Sequence, residues 1–270
     1  MTRFFRVSAG LAMFVAVFSV GSIASAGPII VLGVDFNLES SPTQSGFSPF
    51  ASSSSGTLGS RNFDYSGLSL AYTQTGTVNI KLEVDANELI QARDRSAPAD
   101  AGAFTQGNLY RDFAQHNAAN RYLDILFTGL KPNQPYDVKF WAYDNAVTNQ
   151  SNKLNFIDYT SGSAGASGYI QWGAGAVTAN DQYTIMFSGT SSATGTMKYQ
   201  AHVFTTAEDP DGPNGTNSLT IGTQTQAKLN ALQIMTVPEP SSIVMFGFAV
   251  LAIVFHRRRF AVQAITSVQR

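Results

Sequence analysis

The 270-residue chain reads as an all-β protein, a two-sheet β-sandwich held between short apolar segments at its two ends. Three observations predict this. Apolar and polar residues alternate over short runs, the period of a half-buried strand. Gly, Ser, Asn and Pro break the runs at short intervals, as hairpin and sandwich connections require. Charged residues make up only 13% of the chain, and Ser, Thr, Gly and Asn take their place on the surface, a composition suited to an extracellular β-protein. With no cysteine, such a domain has no disulfides, thiolate metal sites or cysteine nucleophiles, and rests on its apolar core.

The body opens with a strand at residues 33–37. Residues 40–60, including Ser52 to Ser55, read as a Ser/Gly/Pro loop with little capacity to pack. Leu68, Leu70 and Tyr72 alternate with polar residues. Val78, Ile80, Leu82 and Val84 alternate strictly with Asn79, Lys81 and Glu83, which predicts one buried and one wet strand face. Asp85 as N-cap with Glu88 three residues on predicts a helical turn over 85–92. Leu123, Ile125 and Phe127 mark a strand over 122–128. Gly129-Leu130-Lys131-Pro132 and Tyr136 follow, leading into a strand over 137–144. That spacing resembles the tyrosine corner of fibronectin type III and related sandwiches, in which the hydroxyl ties back to the preceding turn. Further strands are expected at 153–157, 169–172, 183–188, 196–204, 219–221 and 227–235.

The two ends read as sorting segments. Arg3 and Arg6 precede an apolar run over 11–20, and Ala24-Ser25-Ala26 is a small-residue cleavage site before Gly27. Residues 1–26 are therefore expected to be a signal peptide cut by signal peptidase. At the other end Val237-Pro238-Glu239-Pro240 precedes an apolar segment over 243–255, and Arg257, Arg258 and Arg259 come next. The segment is shorter than the roughly 20 residues of a comfortable membrane span. The arginines decide for a membrane reading, because a basic flank is held on the cytoplasmic side. The prolines stop a helix from running backwards and leave the motif extended.

This tail resembles the sorting signal of the PEP-CTERM proteins of Gram-negative bacteria. The resemblance implies that a membrane-embedded exosortase reads the motif, that residues 243–255 are a temporary anchor and that the arginines are the stop. The expected division is a signal peptide over 1–26, a sandwich over 27–236, a sorting signal over 237–260 and a cytoplasmic tail over 261–270. Within the body, Ala92-Arg93-Asp94-Arg95, Leu109-Tyr110-Arg111-Asp112-Phe113, Trp141-Ala142-Tyr143-Asp144 and the closing Leu229-Asn230-Ala231-Leu232-Gln233-Ile234 resemble PEP-CTERM ectodomains of planctomycete-type bacteria. That resemblance implies a jelly-roll-like fold and no particular activity.

Six of the 17 basic residues (Arg3, Arg6, Arg257, Arg258, Arg259, Arg270) lie in the terminal segments, and so does Glu239 of the 18 acidic ones. The body is left near −6 with no basic stripe, which argues against nucleic acid as a partner. No catalytic constellation stands out. His116 and His202 lack a second histidine at metal-ligand spacing. There is no Gly-x-Ser-x-Gly elbow, and Gly173-Ala174-Gly175 lacks the rest of a nucleotide loop. A pair of glycosidase carboxylates need not be close in sequence, so that chemistry stays an open alternative.

Two candidate sites are left. Asp209, Asp211 and Asn214 surround a glycine turn and offer the oxygen ligands of a calcium loop, although Asp-Gly and Asn-Gly are also ordinary turn formers. Trp141 and Tyr143 share one strand face, with Asp144 and Asn145 beside them, and Tyr169 and Trp172 lie on another strand. Exposed rings of this kind stack on sugars; the alternative is that the tryptophans are core. The expectation is an exported, non-enzymatic surface or matrix protein associated with the envelope or exopolysaccharide. The alternatives are a carbohydrate-binding module, with calcium as a candidate cofactor, and a glycan-active enzyme.

Overall fold

Alternation becomes architecture in the computed structural model, which describes residues 29–53, 58–68, 73–84, 90–116, 122–145, 152–172, 176–203 and 227–237. Among them are fourteen strands. These are β1 (Ile29–Leu38), β2 (Ser48–Ser52), β3 (Ser60–Leu68), β4 (Thr73–Glu83), β5 (Ile90–Asp94), β6 (Asp112–His116) and β7 (Tyr122–Thr128). The rest are β8 (Pro135–Trp141), β9 (Asn152–Asp158), β10 (Ser167–Trp172), β11 (Thr184–Thr190), β12 (Met197–Val203), β13 (Lys228–Leu229) and β14 (Ala231–Thr236). One sheet runs β11-β8-β14-β1-β2 and a second β10-β9-β12-β7-β4-β3. A third, β13-β6-β5, was not expected from the sequence. Every pairing is antiparallel except β1 with β2. Among the described residues no helix is long and apolar enough to cross a membrane.

The two large sheets face each other as a sandwich. Phe140 of the first stacks on Phe156 of the second at 5.1 Å and meets Tyr199 edge-on at the same distance. Val34, Phe36, Val138 and Phe140 point inward from one side. Val78, Ile80, Leu82, Leu123, Ile125 and Phe127 point inward from the other, as their alternation predicts. Asn79, Lys81 and Glu83 are on the solvent side of β4.

The tyrosine corner forms. The backbone N–H of Lys131 donates to the Tyr136 hydroxyl at 3.2 Å, and the Ser191 hydroxyl donates to the Lys131 carbonyl at 2.6 Å. Gly129 stands at φ +88°, and a side chain there would meet the Thr77 carbonyl oxygen at 2.4 Å, so the corner requires glycine.

Several expectations are corrected. Residues 40–60 are not a passive loop. They contain β2, which pairs in parallel with β1, and they bury Phe50 and Leu58. Phe50 contacts Phe36 and Phe63, and that apolar pairing outweighs the Ser/Gly composition around it. The last residues of the helical turn expected over 85–92 belong instead to β5, where Ile90 and Ala92 share an inward face opposite β6. Of that range, residues 85–89 lie outside the described residues. Of the alternating Leu68, Leu70 and Tyr72, Leu68 is the last residue of β3, and Leu70 and Tyr72 lie outside the described residues. The strand expected to run to Asp144 ends at Trp141. His116 is buried in β6, where its Nε2 accepts the backbone N–H of Ala227 at 3.0 Å.

Candidate functional site

The first candidate site does not present a surface. Trp141, Tyr143, Asp144 and Trp172 are all buried. Trp172 follows Ile170 on the inward face of β10. Trp141 points away from the sandwich core, opposite Phe140, yet is only 1% exposed, because a loop layer covers that side of the sheet. The Phe47 ring packs edge-on against the indole at 5.8 Å, and the indole N–H donates to the Asn180 carbonyl at 3.1 Å. The same layer takes Tyr143, which stacks on Tyr183 at 4.9 Å and meets Tyr110 edge-on at 5.6 Å. Gly33 lets the loop descend this far: a Cβ there would stand 3.0 Å from the Phe47 ring. These rings are therefore structural, since a sugar cannot stack on a face already occupied by protein.

Asp144 is an ionic hub. It pairs with Arg95 at 3.1 Å and with Lys228, and both cations lie over the Phe113 ring, at 5.5 and 5.1 Å. Burial pulls the Lys228 amine below the usual lysine range, and the Asp144 carboxylate opposes that shift. Arg95 of the Arg93-Asp94-Arg95 stretch thus serves the body's own packing. Asp209, Asp211 and Asn214 lie outside the described residues. So do Ala24, Ala26, Gly27, Pro238, Glu239, Pro240, Arg257, Arg258 and Arg259; Val237 is the last residue described.

Among the described residues, the outer side of the six-stranded sheet keeps partly exposed rings. Strand register builds it. Tyr169 lies opposite Asn155, Asn155 opposite His202, and His202 opposite Tyr122. The four form one row across β10, β9, β12 and β7. Tyr169 and Tyr122 are 42% and 37% exposed, among the few large apolar side chains at the surface. Three strand spacings separate them, about 14 Å. Between them Asn155 Nδ2 and His202 Nε2 approach to 3.5 Å. Lys153 Nζ sits 5.0 Å from the Tyr169 ring centroid. The next row places Gln200 opposite Asp124, with Gln200 Nε2 donating to Asp124 Oδ1 at 2.9 Å and Lys198 pairing with Asp124 at 2.6 Å. Lys81 and Glu83 pair further across the same face. The row carries two partly exposed rings with an amide and an imidazole between them, beside charges that are mostly paired.

Sequence reasoning placed Tyr169 and Trp172 together, but residues three apart on a strand lie on opposite faces. Tyr122, Asn155 and His202 were missed. The inward alternation of Leu123, Ile125 and Phe127 does turn Tyr122 outward. Nothing local, however, says that Tyr122 and Tyr169 share a row.

No curated protein matches the chain. Among solved structures it is similar to the enzymatically active domain of Bacteriophage CBA120 tailspike protein 4, at 12% identity and TM-score 0.28, over 59% of this chain and 19% of that one. It is also similar to the CBM22-2 and CBM22-1 xylan-binding domains from Paenibacillus barcinonensis Xyn10C. These stand at 12% and 11% identity and TM-score 0.27, over 57% and 58% of this chain and 91% and 85% of theirs. The chain thus spans about a fifth of the tailspike chain and most of each xylan-binding domain. Residues 236–259 match the PEP-CTERM protein-sorting motif, so the chain carries a PEP-CTERM tail, which implies sorting by an exosortase to the cell envelope or surface.

Proposed function

We propose that this chain is an exported surface or matrix protein without catalytic activity, and that its sandwich holds extracellular polysaccharide on the outer face of the six-stranded sheet. The observation that carries the reading is the Tyr169–Asn155–His202–Tyr122 row. Partly exposed rings offer apolar contact to the CH faces of sugars, and the Asn155 amide and His202 imidazole between them offer donors and acceptors to hydroxyls. A face whose charges are mostly paired favours uncharged polymer. Contact of this kind is insensitive to salt, whereas attraction to an anionic polymer through lysines weakens as salt rises.

Affinity electrophoresis of the full chain in gels containing neutral or acidic polysaccharide tests this. Tyr169→Ala and Tyr122→Ala are each expected to weaken retardation by a neutral polymer about tenfold, equally at low and high salt. Both rings are exposed, so both variants should keep their thermal stability within about 1 kcal/mol. Wild-type retardation in both variants would refute the assignment of this face.

The sorting part of the reading has its own test. The motif separates the end of β14 from the apolar segment over 243–255, so the exported form is expected to lack Arg257, Arg258 and Arg259. Mass spectrometry of surface material from a strain with an active exosortase should recover no peptide containing them. An intact tail on exported protein would rule out removal.

A further inference from the structure

Buried side-chain oxygens of β1, of the turn that follows it and of the start of β6 lack hydrogen-bond partners. Along Ser41-Pro42-Thr43-Gln44 three contacts follow one another. The Gln44 backbone N–H donates to Asp35 Oδ2 at 2.8 Å. Thr43 Oγ1 accepts from Asn37 Nδ2 at 3.0 Å. Ser41 stands beside the carboxyl of Asp112, the first residue of β6. Asp35 and Asn37 are two apart on β1 and share a face. Asp112 is fixed against the same strand through Asn230. Its carbonyl accepts from Asn230 Nδ2 at 2.7 Å, and the Asn230 carbonyl accepts the Phe36 N–H at 2.9 Å.

All four side chains are more than nine-tenths buried. Five of their oxygens make no hydrogen bond among the described residues: Asp35 Oδ1, Asn37 Oδ1, Ser41 Oγ, and Asp112 Oδ1 and Oδ2. Asp94 lies opposite Asp112 in the β5–β6 register, but Arg111 holds both of its oxygens, at 2.6 and 2.7 Å. Arg111 Nε is 3.9 Å from Asp112 Oδ1, beyond hydrogen-bond length. Asp35 and Asp112 are thus left without a basic partner at hydrogen-bond length among the described residues. Buried carboxylate oxygens without donors are strongly unfavourable unless a counter-charge meets them.

We infer that this pocket binds a divalent cation, calcium by preference, through Asp35, Asn37, Ser41 and Asp112. Carboxylate, amide and hydroxyl oxygens are hard ligands, and no sulfur or imidazole belongs to the set. Five oxygens approach the six to eight that calcium takes, with water or main-chain carbonyls completing the shell. Magnesium needs a tighter octahedron and keeps its waters, which a set assembled from two strands and a turn serves less well. Among the described residues no three acidic or histidine side chains converge. The neutral oxygens of Asn37 and Ser41 are therefore needed. The ion would join β1, the turn after it and β6, and so fasten the loop layer that covers Trp141.

The test is thermal unfolding and calorimetric titration of the full chain, stripped with a chelator, at pH 7.5 with calcium, magnesium or neither. Calcium in hundredfold excess over its Kd is expected to raise Tm by roughly 5–10 °C, and magnesium by much less. Asp35→Asn and Asp112→Asn should each weaken calcium binding at least tenfold. Asparagine removes an uncompensated charge, so each metal-free variant should unfold no earlier than the metal-free wild type. Loss of the calcium response is then not loss of fold. The double variant Asp209→Asn/Asp211→Asn should respond to calcium as the wild type does. The inference is overturned by a wild type indifferent to calcium, by a response that survives both Asp35→Asn and Asp112→Asn, or by one abolished in the Asp209/Asp211 variant. A Tm that rises on acidification to pH 5 but not with calcium would also overturn it, and would assign the charge balance to protons.

Discussion

Leu82→Asp is expected to lower stability by more than about 4 kcal/mol, and Lys81→Asp by less than about 1 kcal/mol. The two positions are adjacent on β4, and only the strand's pleat separates their fates. Leu82 is on the inward face with Val78 and Ile80, opposite Ile125 of β7. An aspartate there would lose its water and find apolar neighbours. It would have to fold protonated, or push the strand out of register. Lys81 is 46% exposed and pairs with Glu83 on the wet side. Losing an exposed ion pair costs little, because water screens it. Urea unfolding of both variants gives the comparison, provided their m-values match the wild type. Similar losses at the two sites would mean that β4 is not buried on one side only.

Trp141→Ala is expected to cost about 3–5 kcal/mol, the range for truncating a large buried aromatic side chain. The indole fills the space between the five-stranded sheet and the loop layer. Removing it leaves a cavity bordered by Phe47, with Lys139 Nζ 5.2 Å from the ring it loses. It also leaves the Asn180 carbonyl without the indole N–H, although the Tyr110 hydroxyl still donates to that carbonyl at 2.8 Å. The loss should appear as a fall in Tm of about 6–20 °C for a body of this size. At a temperature where the variant is still folded, its retardation by neutral polysaccharide should equal that of the wild type. This is the reverse of the pattern expected for Tyr169→Ala. A Trp141→Ala variant as stable as the wild type, with weakened polysaccharide retardation, would return the indole to the binding surface.

The two aromatic sites show how much of the function was legible in the chain. Tyr136 could be placed at a corner because Gly129, Pro132 and the tyrosine itself lie within eight consecutive residues, and the closing hydrogen bond is local. β4 was legible because its period is a property of the strand alone. The sorting motif is legible for the same reason: it is matched as a linear stretch, residues 236–259. None of these requires knowing what packs against what.

Trp141 and Tyr169 required that knowledge. Each sits on a strand face that points away from the sandwich core, and strand periodicity alone treats them alike. The difference lies in what covers them. Phe47 and Asn180 come from loops 94 and 39 residues away in sequence to close over Trp141. Over Tyr169 the described fold leaves a partly open face. The parallel pairing of β2 with β1, and the hydrogen bond from Asn230 Nδ2 to the Asp112 carbonyl, 118 residues away, are non-local in the same way. The all-β class, the inward faces of β4 and β7, the corner at Tyr136 and the sorting tail are legible in local stretches of the chain. The tertiary structure decided which second faces meet water and which buried oxygens come together. A strand's period is set by its own backbone, whereas the covering of its outer face depends on loops brought there from distant parts of the chain.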